Sequence, residues 1–387
     1  MRIRRYIATT LLVLLVAAAG GGAWLWRTVN TSAVTPGKST QVMELEVAQG
    51  ASLRSVLRQL EERGLIGSAQ HFEWYLRCCQ PGKALAAAGI KAGKYRIAPG
   101  QQPLTILRQL VEGRVMLESI TIVEGWTFAQ MRAALNRRAG LQRMVGDLSD
   151  AEIMRELGAP ELPAEGQFAP DTYAFAPGNT TDLQILRLAF EAQQRILQEA
   201  WNSRAPGLPF ANVGEALALA SIVEKETGLA SERARVAGVY INRLRIGMRL
   251  QSDPSVIYGI RNYDGNIRKS DLRRDGPYNT YTRAGLPPTA IALPGREAII
   301  ATLHPEKTDA LFFVAIGDGS GGHLFAATGA EHNRNVQRYL ERLRAAPPDS
   351  DALADAPAGA SASDDPATAV AEPAKPDGAA SPPAPRP

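Results

Sequence analysis

Apolar and polar positions follow several different rhythms along this chain, and each change of rhythm marks a candidate element. From Tyr6 to Trp26 there is no charge, with Arg2, Arg4 and Arg5 ahead of the run and Arg27 behind it. A helix there, at about 1.5 Å per residue, spans roughly 30 Å, the thickness of a bilayer core. The arginines then stay cytoplasmic, Trp24 and Trp26 mark the far interface, and the body of the protein lies outside. The competing expectation is a cleaved signal, with residues 7–16 as its apolar stretch and 17–19 as the cleavage site. Either way the chain is exported.

Next comes a pattern that repeats. Three times a strand-like run meets a glycine and then a helix-like run: LEVAQGASLRSVLRQL, YRIAPGQQPLTILRQL and ITIVEGWTFAQMRAAL. Counted from Gly50, Gly100 and Gly125, position +6 is Val56, Ile106 and Met131, and position +10 is Leu60, Leu110 and Leu135. The glycine turns the strand, and the two apolar positions face a sheet from one side of a helix. A unit of this size cannot bury its face alone, so the units are expected to pack together. The first two resemble a LysM-like glycan-binding module; strand–Gly–helix is also a common way to build a small α+β core. The third copy is expected to open a second domain.

Further along, residues 149–157 read as a short helix with Ser149 as N-cap, and 181–201 as a long amphipathic one. Residues 215–228 read as a helix ending at Gly228, where a residue tolerant of positive φ is wanted. Residues 241–259 and 276–295 are dense in Asn, Gln, Ser, Asp, Tyr, Gly and Pro and read as loops. LFFVAI at 311–316 predicts a buried strand, 323–327 its partner, and 333–343 a final helix. Beyond Ala345 the chain is Ala, Pro, Ser and Asp with almost no large apolar residue, and it cannot form a core.

The 387 residues suffice for two packed domains plus extensions. The formal net charge of +4 is uneven. From Ala345 onward Asp349, Asp351, Asp355, Asp364, Asp365, Glu372 and Asp377 outweigh Lys375 and Arg386, leaving that end at about −5 and the remainder at about +9. No helix-turn-helix, zinc pattern or Arg/Lys cluster accompanies the basic body, which argues against nucleic acid and for anionic lipid or acidic wall polymer. Cys78 and Cys79 are adjacent, with Cα atoms about 3.8 Å apart, so a bridge between them would be strained. His71, His304, His323 and His332 are scattered, and no metal or other cofactor is expected.

Candidate chemistry centres on Ala216–Thr227, ALALASIVEKET. On a helix Glu224 is stacked over Leu217, Ala220 and Ser221, so its carboxyl emerges among small and apolar groups. Desolvation there raises its pKa and keeps it protonated, as a general acid requires. Glu226, over Ile222 and Leu219, competes for the role, and periodicity does not separate the two. In the loops that follow, Tyr258, Tyr278, Asn279 and Tyr281 offer flat rings and amide hydrogen bonds, a combination that suits sugars.

ASIVEKET, INRL.IGM.LQSDP..IYG, PYNTY...GLPP..I and GGHLFAATGAEHN together resemble the endolytic murein transglycosylase family, also called MltG or YceG-like, over roughly Val47 to Leu343. Gly276 stands before PYNTY where a serine is common. The resemblance implies cleavage of the MurNAc–GlcNAc β-1,4 bond in nascent peptidoglycan, with a 1,6-anhydro-MurNAc end and no cofactor. It makes Glu224, the first acid of VEKET, the catalytic residue. It also brings in the EGQFAPDTY loop, where Asp171 or Tyr173 could contact substrate, or Asp171 cap the next turn.

Asn242, Gln251, Asp253, Tyr278, Asn279 and Tyr281 are expected to line the same cleft as substrate-binding residues, and Asn279→Ala to lower activity with little loss of stability. The expected architecture is α+β: a transmembrane anchor at 1–27, a linker at 28–42, a LysM-like module at 43–118, a catalytic domain at 119–345 and a disordered tail at 346–387. The expected partners are glycan strands, the lipid bilayer and a peptidoglycan synthase complex, with no nucleic acid. The expected location is the inner membrane, with the catalytic domain in the periplasm. Two alternatives remain: a glycan-binding scaffold without catalysis, and a two-carboxylate muramidase in which Asp253 is the second acid.

Overall fold

A computed structural model describes residues 2–30, 42–78 and 80–345. Much of the expected linker, the whole tail and Cys79 lie outside the described residues. The chain divides into two compact units. The first holds residues 1–120, 135–144 and 173–185; the second holds 121–134, 145–172 and 186 onward.

In the first unit, α1 (Arg2–Asn30) precedes β1 (Met43–Val47), α2 (Leu53–Glu62), α3 (Ala69–Cys78), α4 (Gln80–Ala88), β2 (Gly93–Ile97) and α5 (Pro103–Glu112). Strands β1 and β2 pair antiparallel, Leu45 opposite Tyr95 and Met43 opposite Ile97. The repeat spacing is realised in full. Gly50, Gly100 and Gly125 take φ of 76°, 75° and 75°, left-handed values that cost any residue with a Cβ. The six apolar positions counted from them are all buried. Val56, Leu57 and Leu60 from α2 and Ile106, Leu107 and Leu110 from α5 close one core with Leu45, Tyr95 and Ile97.

The expected membrane anchor is corrected by α1. Among the described residues no helix is long and apolar enough to cross a membrane. Thr9, Thr10 and Gly20 to Gly22 interrupt the uncharged run and lower its apolar character on either side of Leu11 to Val16. Trp24 packs edge-on against His71 of α3, ring centres 4.9 Å apart.

Strands β3 (Glu118–Thr121) and β4 (Thr172–Phe175) pair where the chain passes between units. The second unit is largely helical: α6 (Phe128–Arg137), α7 (Asp150–Glu156), α8 (Asp182–Asn202), α9 (Val213–Glu226), α10 (Ala230–Arg245), α11 (Asp253–Gly259), α12 (Lys269–Arg273) and α13 (Arg296–Leu303). The hairpin of β5 (Phe312–Ala315) and β6 (His323–Ala326) and the final α14 (Gly329–Ala345) complete it. Ser149 caps α7 in a reciprocal capping box with Glu152, as its position predicts.

Three local expectations need revision. Residues 241–259 are not one loop: the stretch contains the end of α10 and all of α11, because Pro254 sits in the first turn, where its missing N–H costs nothing. Gly228 has no positive φ; α9 ends one residue earlier, at an extended Thr227 whose hydroxyl accepts from the Leu229 amide at 3.0 Å. Strand β5 is half-buried, not buried.

Candidate active site

Helix α9 starts with a firm cap: the Asn212 side chain accepts from the Glu215 amide at 3.0 Å, and Glu215 reaches back to the Ala211 amide at 2.7 Å. Every residue from Ala216 to Val223 is buried. A helix buried on all sides has no solvent stripe, so this one lies in the interior of its unit. Residues 289–295 run along it. Ser221 donates to its own helix at Ala218 O and accepts from the Ile291 amide at 2.9 Å. One helical turn on, Glu224 Oε2 accepts from the Gly295 amide, also at 2.9 Å. The same segment exchanges two backbone hydrogen bonds with the third glycine turn, Gly125 N to Leu293 O at 2.9 Å and Leu293 N to Trp126 O at 2.7 Å.

The Glu224 side chain is only 6% exposed. Burial raises its pKa, the Gly295 amide opposes the rise, the negative charge of Glu124 adds to it, and Arg233 and Lys225 oppose it. Oε1 of Glu224 and Oε2 of Glu124 each lie 4.0 Å from Arg233 Nη2. A Cβ on Gly295 would fall 2.0 Å from Glu124 Oε1, so only glycine lets that carboxyl approach. Lys225 Nζ reaches the Gly125 carbonyl at 3.4 Å.

Glu226, the rival acid, is tied up. Its Oε1 accepts from the Tyr240 hydroxyl at 2.6 Å and the Ser252 hydroxyl at 2.7 Å, fastening α9 to α10 and to the turn before α11. Burial pushes its pKa up as well. The two acids differ in what surrounds them: Glu226 is enclosed by two hydroxyl donors, whereas Glu224 accepts one backbone amide and faces charges.

The other candidate residues fall into three groups. Gln251, Asp253, Asn279 and Tyr281 belong to one network of loop hydrogen bonds. Gln251 is the only non-glycine with positive φ among the described residues, at 49°, and its amide donates to Thr280 O. The Ser252 amide donates to Thr280 Oγ1 at 2.9 Å, and the Tyr281 hydroxyl to Asp253 Oδ1 at 2.6 Å. Asn279 is buried: its Nδ2 donates to the carbonyls of Asp271, Leu272 and Arg274, and its Oδ1 accepts from the amides of Tyr281 and Thr282. The Tyr278 ring meets Tyr258 edge-on at 4.8 Å, and its hydroxyl meets Thr289 Oγ1 at 2.9 Å. Asn242 stands apart, its Nδ2 donating to the carbonyls of Thr308 and Ala310.

Sequence reading missed Glu124, Arg233 and Glu165. Glu124 had a signal: the residue before the turning glycine is Gln49, Pro99 and then Glu124, so only the third copy carries an acid there. Arg233 had none, because its place depends on how α9 and α10 cross. Glu165 is buried, its carboxyl accepting from the Phe128 amide at 2.9 Å and the Tyr258 hydroxyl at 3.1 Å, and desolvation pushes its pKa up to about 7. Among the described residues no three His, Cys, Asp or Glu side chains are grouped to hold a metal ion.

The YceG-like family profile matches residues 45–338, which include every residue of this site. The chain belongs to the YceG-like family. A Bacillus subtilis relative named endolytic murein transglycosylase is 29% identical over 319 residues, covering 78% of this chain and 86% of that protein. A Streptococcus pneumoniae relative of the same name is 25% identical over 336 residues, covering 78% of this chain and 59% of the relative. A crystal structure of a YceG-like protein from Listeria monocytogenes is 27% identical, covering 76% of this chain and 99% of its own, with a TM-score of 0.45. All the motif segments of this YceG-like chain, from the EGQFAPDTY loop to β6, lie inside the matched range.

Proposed function

We propose that this protein is an endolytic lytic transglycosylase of peptidoglycan, with Glu224 as its single acid–base group. The observation that carries the reading is the state of Glu224: a 6%-exposed carboxyl with a raised pKa, one hydrogen bond and a cation at 4.0 Å, in a YceG-like chain. Two relatives in that family bear the name endolytic murein transglycosylase. A raised pKa holds the proton on this carboxyl to higher pH than on an exposed glutamate, which is the direction a general acid needs. Glu224 protonates the oxygen bridging N-acetylmuramic acid and N-acetylglucosamine as that bond breaks. The carboxylate so formed takes the proton of the muramic 6-hydroxyl, whose oxygen closes a 1,6-anhydro ring on the anomeric carbon. The acid is regenerated and no water is consumed.

The zipped loops are proposed to hold the neighbouring sugars in register, because small misplacements cost orders of magnitude in rate. Tyr278, Tyr281 and Gln251 serve as contacts, Asp253 and Asn279 keep those loops in shape, and Asn242 anchors the 308–310 turn. The site of action is the outer side of the cytoplasmic membrane, where the polymer lies. Cutting within nascent strands would help terminate their elongation, and a synthase working on the same strands is the fitting partner.

A second reading has one observation behind it. Glu124 supplies a second carboxyl within twice 4.0 Å of the first, since both meet the same Arg233 nitrogen. A hydrolase would use such a pair, at about 5–5.5 Å for retention or 6.5–9.5 Å for inversion. Mass spectrometry of digested glycan strands separates the two: anhydro ends support the lytic reaction, and ordinary reducing ends remove it. Glu224→Gln should lower kcat on the same strands by about 100-fold or more at unchanged melting temperature. Turnover at the native rate would dismiss Glu224 as the acid.

A further inference from the structure

Two carboxyl groups meet at one backbone position, and a guanidinium stands 4.0 Å from each. Glu224 accepts the Gly295 amide, and Glu124 rests where the Cβ of any other residue at 295 would be. Arg233 Nη2 stands 4.0 Å from both acids, beyond hydrogen-bond reach of either. Its Nε is buried with no hydrogen-bond partner, and its side chain is 12% exposed. A guanidinium that close to two acids, yet bonded to neither, acts on them through its charge. The structural price of the arrangement is visible in Gly295 and in the orphaned Nε–H.

We propose that Glu124 and Arg233 are positioning residues of the reaction, which set the charge felt by Glu224 in its two opposite roles. Glu124 favours the protonated acid that gives its proton to the leaving oxygen. Arg233 favours the carboxylate that then removes the proton of the muramic 6-hydroxyl. Without Glu124 the acid ionises too readily; without Arg233 the carboxylate is too poorly stabilised once formed. The inference rests on the transglycosylase reading of Glu224 and adds the groups that tune it. The charged groups facing Glu224 are Glu124 from the third glycine turn, Arg233 from α10 and its own neighbour Lys225, besides the Gly295 amide. Lys225 is exposed, its ammonium reaches the Gly125 carbonyl, and of the three charges it acts least on Glu224; Glu124 is itself 48% exposed, and its hold on Glu224 rests on its close approach at Gly295.

The test is a pair of shifts of opposite sign. A general acid loses activity as pH rises through its own ionisation, so the alkaline limb of kcat/KM reports Glu224. In the full chain, Glu124→Gln should move that limb to lower pH, with a several-fold loss confined to the alkaline side, and Glu124→Asp should restore it. Arg233→Gln should move the limb to higher pH. Because Arg233 is nearly buried, Arg233→Lys serves if the Gln variant does not fold, and should leave the limb near its native place. Carbon-13 NMR titration of the Glu224 carboxyl gives the same answer without turnover. A limb and a carboxyl titration both unmoved in Glu124→Gln, with only the amplitude or the melting temperature altered, would overturn the proposal. A Glu224→Gln variant as active as the native protein would instead bring down the transglycosylase reading. The NMR titration does not depend on that reading, so the two failures are distinguishable.

Discussion

The two compact units bury different things. The first closes on aliphatic and aromatic side chains: Leu45, Val56, Leu57, Leu60, Tyr95, Ile97, Ile106 and Leu110 form one continuous core. Its prominent polar atom, the Tyr95 hydroxyl, is satisfied by the Lys91 and Leu110 carbonyls. The second unit buries Glu165, Gln167, Gln193, Ser221, Arg243, Ser252, Ser255, Asn279 and Thr280. Among the described residues Asp182 is the buried non-aromatic polar side chain of the first unit. The contrast extends to the shared glycine turn. Around Gly50 and Gly100 a hypothetical Cβ meets open space, while at Gly125 it meets Lys225 and Glu224. One device therefore serves as plain architecture twice and as the wall of a site once. A unit that must hold acids and loops in place accepts the desolvation of polar groups that a unit built only to pack does without.

Three sets of substitutions press on that contrast. The largest effect belongs to Asn279→Ala, because five hydrogen bonds end on one buried amide. Stranding those carbonyls and amides should cost about 3 kcal/mol or more, read by urea denaturation. That replaces the expectation, drawn from sequence, of little change in stability. An unchanged denaturation midpoint would mean that water takes over these bonds and that the loop holds itself.

Glu165→Gln comes next, with a pH signature. The Glu165 carboxyl binds its proton more tightly folded, to about 7, than unfolded, near 4.5. Native stability is therefore fullest below 4.5, falls between 4.5 and about 7 and then levels off. A neutral isostere escapes this loss, so Glu165→Gln should exceed the native protein by up to about 3 kcal/mol at alkaline pH and lose that lead below the unfolded pKa. A lead of constant size at every pH would assign the gain to packing instead.

The smallest effect comes from replacing the turning glycines by alanine one at a time. With nearly equal φ, Gly50→Ala, Gly100→Ala and Gly125→Ala should each cost about 1–2 kcal/mol in stability. Only Gly125→Ala should also reduce turnover of glycan strands. Equal turnover in all three, measured at a temperature where each is fully folded, would erase the distinction between the turns.

What sequence revealed and what it hid divide along the same line. Positions +6 and +10 after each glycine were readable as core because the turn, the helix and the buried face are set within a dozen residues. Helix α8, the Ser149 cap and the β5–β6 hairpin were readable for the same reason. Helical neighbours left Glu224 and Glu226 level as candidates, and only the resemblance of the VEKET run pointed to Glu224. The companions of Glu224 come from other elements: Glu124 and Gly295 from loops, Arg233 from a neighbouring helix. Nothing local to α9 announces them. The anchor expected at the N-terminus shows the converse error, an uncharged run credited with more continuous apolar length than Thr9, Thr10 and the three glycines leave it.

The clamp of residues 289–295 on α9 also says when the acid comes into being. Ser221 waits for Ile291, 70 positions further on, and Glu224 for Gly295, 71 positions on; Lys225 answers to Gly125, 100 positions back. Closing such long loops comes late in folding, after local hairpins and helices have formed. As the chain emerges during synthesis, the Gly125 turn and α9 are both made well before residue 295, whose amide completes the surroundings of the Glu224 carboxyl. A chain stopped short of residue 295 would carry Glu224 without the amide that its carboxyl accepts from, so the surroundings of that carboxyl are complete only once residues 289–295 have closed on α9.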